Sequence, residues 1–169
     1  MKFEILKKLT KEQYIWASLR LGLGWIILWA FFDKIFGLGF ATGAEDAWIA
    51  GGSPTTGFLK YATTGPFSGL FESISGVAVV DWIFMISLLL IGATLVLGIA
   101  NRIAGYSGAI LVLLMWLAVL PPEHNPILDE HVIYAIALVG VAIVKPGKWI
   151  GLGEWWSNTK LVKKYPFLE

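Results

Sequence analysis

The sequence predicts an all-α fold: an integral membrane four-helix bundle, both chain ends cytoplasmic, with a long structured outer loop between helices one and two. Three observations predict it. The 169 residues are 57% hydrophobic and only 15% charged, with a mean hydropathy of +0.72, more apolar surface than a soluble core of this size can hide. Four stretches approach the ~20 apolar residues that cross a bilayer: Trp16 to Phe40, Trp82 to Ala100, Ile103 to Leu120 and Ile127 to Val144. The Lys and Arg residues, Lys34 and Lys60 apart, all fall at one side of these spans, which by the positive-inside rule faces the cytoplasm. The expected location is the plasma membrane of a prokaryote, as one multi-pass domain over residues 1–169.

Residues 1–14 form a basic amphipathic lead-in, with Thr10 and Gln13 spaced as a capping box. Its role is to lie on the anionic inner surface. The first span is no cleavable signal, because Arg20, Asp33 and Lys34 interrupt it and no small-residue cleavage site follows. Its uncharged middle, Leu21 to Phe32, is only twelve residues, so Arg20 or the Asp33–Lys34 pair must lie at membrane depth. Arg20 is expected to snorkel to the inner interface. Asp33 and Lys34 point ~100° apart on a helix and need partners elsewhere. Trp25, Trp29 and Asp33 share a stripe at i, i+4, i+8, the spacing of ordinary packing as well as of a ligand wall.

The outer segment 41–81 is long for an unstructured loop. Gly and Pro turn signals divide it, Phe67, Leu70, Phe71 and Ile74 suggest a short interfacial helix, and Trp48 with Ile49 suggest a second. It serves as a lid or as a shield for the helix ends. Spans two and three carry no charge, and Gly92, Gly98, Ala104 and Gly108 suit close helix packing. The segment 145–169, with Trp149, Trp155, Trp156 and Tyr165 among lysines, reads as a cytoplasmic interfacial belt or a docking patch for a soluble partner.

Both histidines and three of the twelve carboxylates fall within residues 121–134, PPEHNPILDEHVIY. Asn125 followed by Pro126 is a helix-start signal, and Asp129 and Glu130 suit a first turn. The uncharged run Val132 to Val144 is too short to span alone, so span four is expected to begin near Asn125. That places His131 ~9 Å inside the cap, with Asp129, Glu130 and Tyr134 descending beside it to the depth of Asp33 and Lys34. Ionisable groups at such depth face an interior or a water-filled cavity.

The absence of cysteine excludes iron–sulfur clusters, c-type haem attachment and CxxC chemistry. No flavin and no nucleic-acid partner are expected. His124 and His131 have poor spacing for a metal or a bis-histidine haem, no nucleophile elbow marks a hydrolase, and four spans without repeats argue against a transporter. A quinone site suits the inventory better: an apolar slot walled by Trp29 or Trp116, and protonatable groups among His131, Tyr134, Asp33 and Lys34. An ion-pair network of purely structural purpose would carry the same residues.

The segments LRLGLGWIILWAFFDKIFG, GGSPTTGFL, NRIAGYSGAILVLLMW and NPILDEHVIYAIAL together resemble the DoxX family of small four-helix membrane proteins, and in particular its DoxD-like members, the large subunit of thiosulfate:quinone oxidoreductase. The resemblance runs from about Tyr14 to Trp156. It implies oxidation of thiosulfate to tetrathionate outside the membrane, electrons passing to a quinone, and often a small second subunit. The polar positions it matches are Arg20, Asp33, Lys34, Asp129, His131 and Tyr134. The roles that follow as expectations are His131, Asp33 and Asp129 as catalytic groups, Lys34 and Tyr134 for substrate, Trp29 and Trp116 for the quinone, and no metal. The alternative is a non-catalytic membrane subunit that docks a redox partner; homo-oligomerisation stays open.

Overall fold

The computed structural model describes residues 9–169, and every regular element among them is helical. Eight α-helices follow one another: α1 Lys11–Phe36, α2 Thr56–Tyr61, α3 Ser68–Ser73, α4 Ala78–Leu97, α5 Asn101–Ala118, α6 Glu130–Val144, α7 Gly153–Ser157 and α8 Lys160–Lys164, with short 3-10 turns between some of them. Residues 1–8 of the expected lead-in lie outside the described residues. Residues 11–14 are already helix, because the Thr10–Gln13 capping box forms as expected and starts α1 there.

Three helices, α1, α4 and α5, are long and apolar enough to cross a membrane. The fourth expected span is a shorter helix: the 15 residues of α6 rise about 22 Å. Its start corrects the sequence reading. Asn125 does not cap a helix; its Oδ1 accepts the N–H groups of Ile127 (3.0 Å) and Leu128 (2.9 Å) in a local turn. The side chain that caps α6 is Asp129, in extended conformation at φ −137°, which ends the turn and opens the helix four residues later. The segment between α1 and α4 is correspondingly 37–77 rather than 41–81.

One core draws on α1, α4, α5 and α6: Leu23 and Ile27 from α1, Met85, Leu88 and Leu95 from α4, Val112 from α5, Leu138 and Val141 from α6. Glycine sets how near they approach. A Cβ on Gly92 would lie 2.7 Å from the Leu28 nitrogen, and one on Gly24 2.8 Å from the Leu95 Cβ, so α1 and α4 meet backbone to backbone. Gly108 abuts Ile91 and Leu138, as its expected packing role requires. Gly98 works differently: with φ 76° it is the left-handed C-cap of α4.

The outward surface of these helices is as apolar as the core. Ile83 is 62% exposed, Ile110 61% and Ile136 64%, with Leu90, Leu114 and Ile143 similarly bare. Apolar contact on every side is the pattern of helices that meet lipid rather than water.

Arg20 departs from expectation. It does not snorkel but is fully buried. Its guanidinium donates to the carbonyls of Leu95, Val96 (3.0 Å) and Ile150 (2.6 Å). The last carbonyls of a helix lack intrahelical partners and carry partial negative charge, so a cation there satisfies both needs. Arg20 thereby ties α1, the end of α4 and the segment after α6 at the basic end of the helices. The opposite end, with the C-terminus of α1 and the N-terminus of α6, is the distal end.

Candidate functional site

The distal end gathers the polar groups that the sequence singled out. Asp129 Oδ1 accepts the backbone N–H groups of His131 (3.0 Å) and Val132 (3.3 Å), while Oδ2 lies 2.8 Å from His131 Nδ1. An ionised carboxylate only accepts, so His131 carries its proton on Nδ1 toward Asp129 and leaves Nε2 free. The side chains are 17% and 11% exposed, sheltered enough to hold one geometry without being sealed off. Tyr134, one turn further along α6, packs against the core. Glu130 is exposed and His124 is exposed.

Asp129, Glu130 and His131 each offer a ligand atom within 4.8 Å of the others. Asp129 already accepts three hydrogen bonds, and Glu130 and His131 alone are too few for a closed metal shell.

The segment leading into the pair is pinned to α5, where the Trp116 Nε1–H donates to the Ile127 carbonyl at 2.9 Å. Trp116 also lines, with Ile110, Leu113, Leu114 and Leu117, an open apolar groove of about 310 Å³. All five residues belong to α5, so the groove is a shallow apolar surface open to the outside of the helices. The groove lies on the outward flank of α5, and Trp116 links it to the segment that precedes Asp129.

The other expected residues are placed elsewhere. Asp33 is 2% exposed, and its carboxylate accepts the backbone N–H groups of Phe40 (3.2 Å) and Ala41 (2.8 Å). It clamps the chain reversal that Gly37, in the left-handed region, begins after α1. Lys34 makes no ion pair among the described residues; its ammonium lies 6.0 Å from the centre of the Phe84 ring. Trp29 sits between Trp25 (5.7 Å) and Phe40 (5.2 Å, edge to face) and lines no part of the groove. The stripe expected on α1 thus runs from exposed Trp25 to the buried Asp33 clamp. No hydrogen bond or ion pair among the described residues joins Asp33 or Lys34 to Asp129 and His131.

One cluster escaped the sequence reading. Asp81, in the first turn of α4, is 6% exposed and accepts from Ser53 Oγ at 2.9 Å and Thr55 Oγ1 at 2.5 Å. Ser53 in turn accepts from Thr56. Asp33 fastens the start of the 37–77 segment to α1, and Asp81 fastens its middle, at Ser53 and Thr55, to α4. That segment holds the expected short elements, α3 and a 3-10 turn Trp48–Ala50, and also α2, which the Gly and Pro signals concealed.

No family profile, curated protein or solved structure matches the chain.

Proposed function

We propose that the chain is a multi-pass membrane protein of four spans, both ends cytoplasmic, that interacts with a quinone at its distal end as a redox protein. The Asp129–His131 pair at 2.8 Å beside the Trp116 groove is the observation that carries this reading. A quinone needs an apolar slot for its ring and tail and a proton donor at a carbonyl as electrons arrive. The groove supplies the first. His131 supplies the second once its Nε2 takes a proton from water, the imidazolium so formed being held by Asp129 through Nδ1–H, and that Nε2 proton passes to the quinone carbonyl.

The four-span topology rests on the antiparallel order of α1, α4, α5 and α6 around one core. The helix α6 falls ~8 Å short of a ~30 Å hydrocarbon layer, and the apolar, exposed Ile127 and Leu128 lie in the turn that precedes it. The basic residues lie at the other end, which is the cytoplasmic one under the positive-inside rule.

Thiosulfate is the substrate proposed, on the resemblance of the segments quoted above. Two thiosulfates join through a new sulfur–sulfur bond to give tetrathionate, and the two electrons released reduce one quinone, which takes up two protons. Lys34, free of any ion pair among the described residues, attracts the anion; Asp33 holds the loop that carries it past the helix end. Tyr134 lies one turn below His131 as a further hydrogen-bonding group. Lys34→Ala and His131→Ala should each lower thiosulfate-dependent quinone reduction in membranes by about tenfold or more, ~1.4 kcal/mol in barrier. Wild-type rates in both variants would sink the assignment, and rates restored only by adding a soluble partner enzyme would favour a docking subunit instead.

A further inference from the structure

At the basic end, three elements converge on one carboxylate. Lys145 caps the end of α6 in the left-handed region at φ 52°, Lys148 closes the following 3-10 turn, and Ser157 ends α7. Both ammonium groups pair with the Glu169 side chain, and Ser157 Oγ donates to Glu169 Oε1 at 2.9 Å. The cradle is rigidly built: Asn101 Oδ1 accepts the Gly147 N–H at 2.9 Å, the Arg102 N–H donates to the Glu169 carbonyl at 2.9 Å and the Trp156 Nε1–H to the Leu168 carbonyl at 2.8 Å. Gly98 and Gly153, without side chains, leave a small hollow beside the carboxylate.

We propose that the Lys145–Lys148–Ser157 cradle is a receptor for a phosphate group, and that an anionic phospholipid headgroup takes it in the bilayer by replacing the Glu169 side chain. A phosphodiester offers two unesterified oxygens and one negative charge, as the carboxylate does, so it satisfies the same three donors without changing the charge of the cradle. Two ammonium groups and a hydroxyl on one anion are the donor set that phosphate oxygens take. The surroundings select the lipid over a free ion. Trp155 is 62% exposed and Phe167 59%, with Leu161 and Tyr165 also bare, a belt suited to the membrane–water interface where the acyl chains of a bound lipid would lie. Lys160, Lys163 and Lys164 on α8 add positive potential beside it.

The inference rests on the membrane reading and is independent of the redox one. The test reconstitutes the full chain in discs of phosphatidylcholine with a minority of phosphatidylglycerol and counts retained lipids by native mass spectrometry. Wild type should retain phosphatidylglycerol in preference to phosphatidylcholine. Glu169→Gln, which weakens the internal competitor, should retain about fivefold more, and Lys148→Gln about fivefold less, the worth of one lysine near an anionic surface. A purely structural Glu169 pair gives the opposite sign or no change in Glu169→Gln, and either result overturns the proposal. Inorganic phosphate added to pure phosphatidylcholine discs, followed by tryptophan fluorescence, is the second arm. Saturable phosphate binding with no phosphatidylglycerol preference overturns the lipid assignment. Failure of wild type to enter neutral discs overturns the membrane reading as well, whereas entry without lipid preference overturns this inference alone.

Discussion

Replacing Arg20 by Met keeps the length and much of the volume of the side chain and removes its charge and its donors. Arg20 is the partner, among the described residues, of the Val96 and Ile150 carbonyls, whereas the Leu95 carbonyl also accepts from the Gly98 N–H at 3.2 Å. Two buried acceptors are therefore orphaned, each at about 1–3 kcal/mol. Part of that loss is offset, because a fully buried cation whose Nε has no partner among the described residues no longer has to be held out of water. The net expectation is about 2–4 kcal/mol of destabilisation, with α1 released from the end of α4 and from Ile150. Lys in place of Arg recovers only part of it, because an ammonium lacks the planar fork that reaches three carbonyls at once. Unfolding of the detergent-solubilised protein by added denaturing detergent, followed by tryptophan fluorescence, measures both variants. An Arg20→Met protein as stable as wild type or more so would refute the reasoning, since burial of the charge would then outweigh everything it caps.

Two further predictions follow from the acids. Asp129→Asn keeps a competent helix cap, so stability should change by under about 1 kcal/mol in thermal unfolding, yet it removes the negative charge that fixes His131; quinone reduction should fall while the helix start survives, and equal loss of both would mean that Asp129 acts only as a cap. The Lys145 and Lys148 pairs, with Ser157, hold the Glu169 carboxyl down from 4.5 to about 2. A depressed acid stabilises the fold above its unfolded value and loses that contribution as pH falls, so basic-end stability should be constant above about pH 4.5 and decline from there toward about 2. In Glu169→Gln this decline should be absent from acid-unfolding curves.

The helices were legible because their signals are local. The Thr10 capping box, the unbroken apolar runs and the glycines of α4 and α5 each act within a few residues or through composition. The start of α6 was not, because Asn125 and Asp129 are both good caps four residues apart, and Asn125 was drawn into a local turn by the N–H groups of Ile127 and Leu128. The partners of Arg20 and Asp33 were hidden for a different reason. They are backbone carbonyls and N–H groups, which every residue carries and no residue type announces. The cluster at residues 121–134 did mark the Asp129–His131 pair, but grouping it with Asp33 and Lys34 assumed that polar residues at one depth share partners. In the structure each finds its own: a clamp, an aromatic ring and a cap. Lys145, Lys148 and Glu169 read separately as an interfacial tail, and only the folding back of the last segment brings them together.

The proposed quinone interaction is tested most directly by mass spectrometry of quinone retained by the purified chain, compared with a Leu117→Trp variant that fills the groove beside Trp116. The account predicts quinone in the wild-type protein and its loss from the variant with the fold intact. Wild-type protein that retains no quinone under conditions where bulk lipid is kept, or a variant that retains as much, would contradict it.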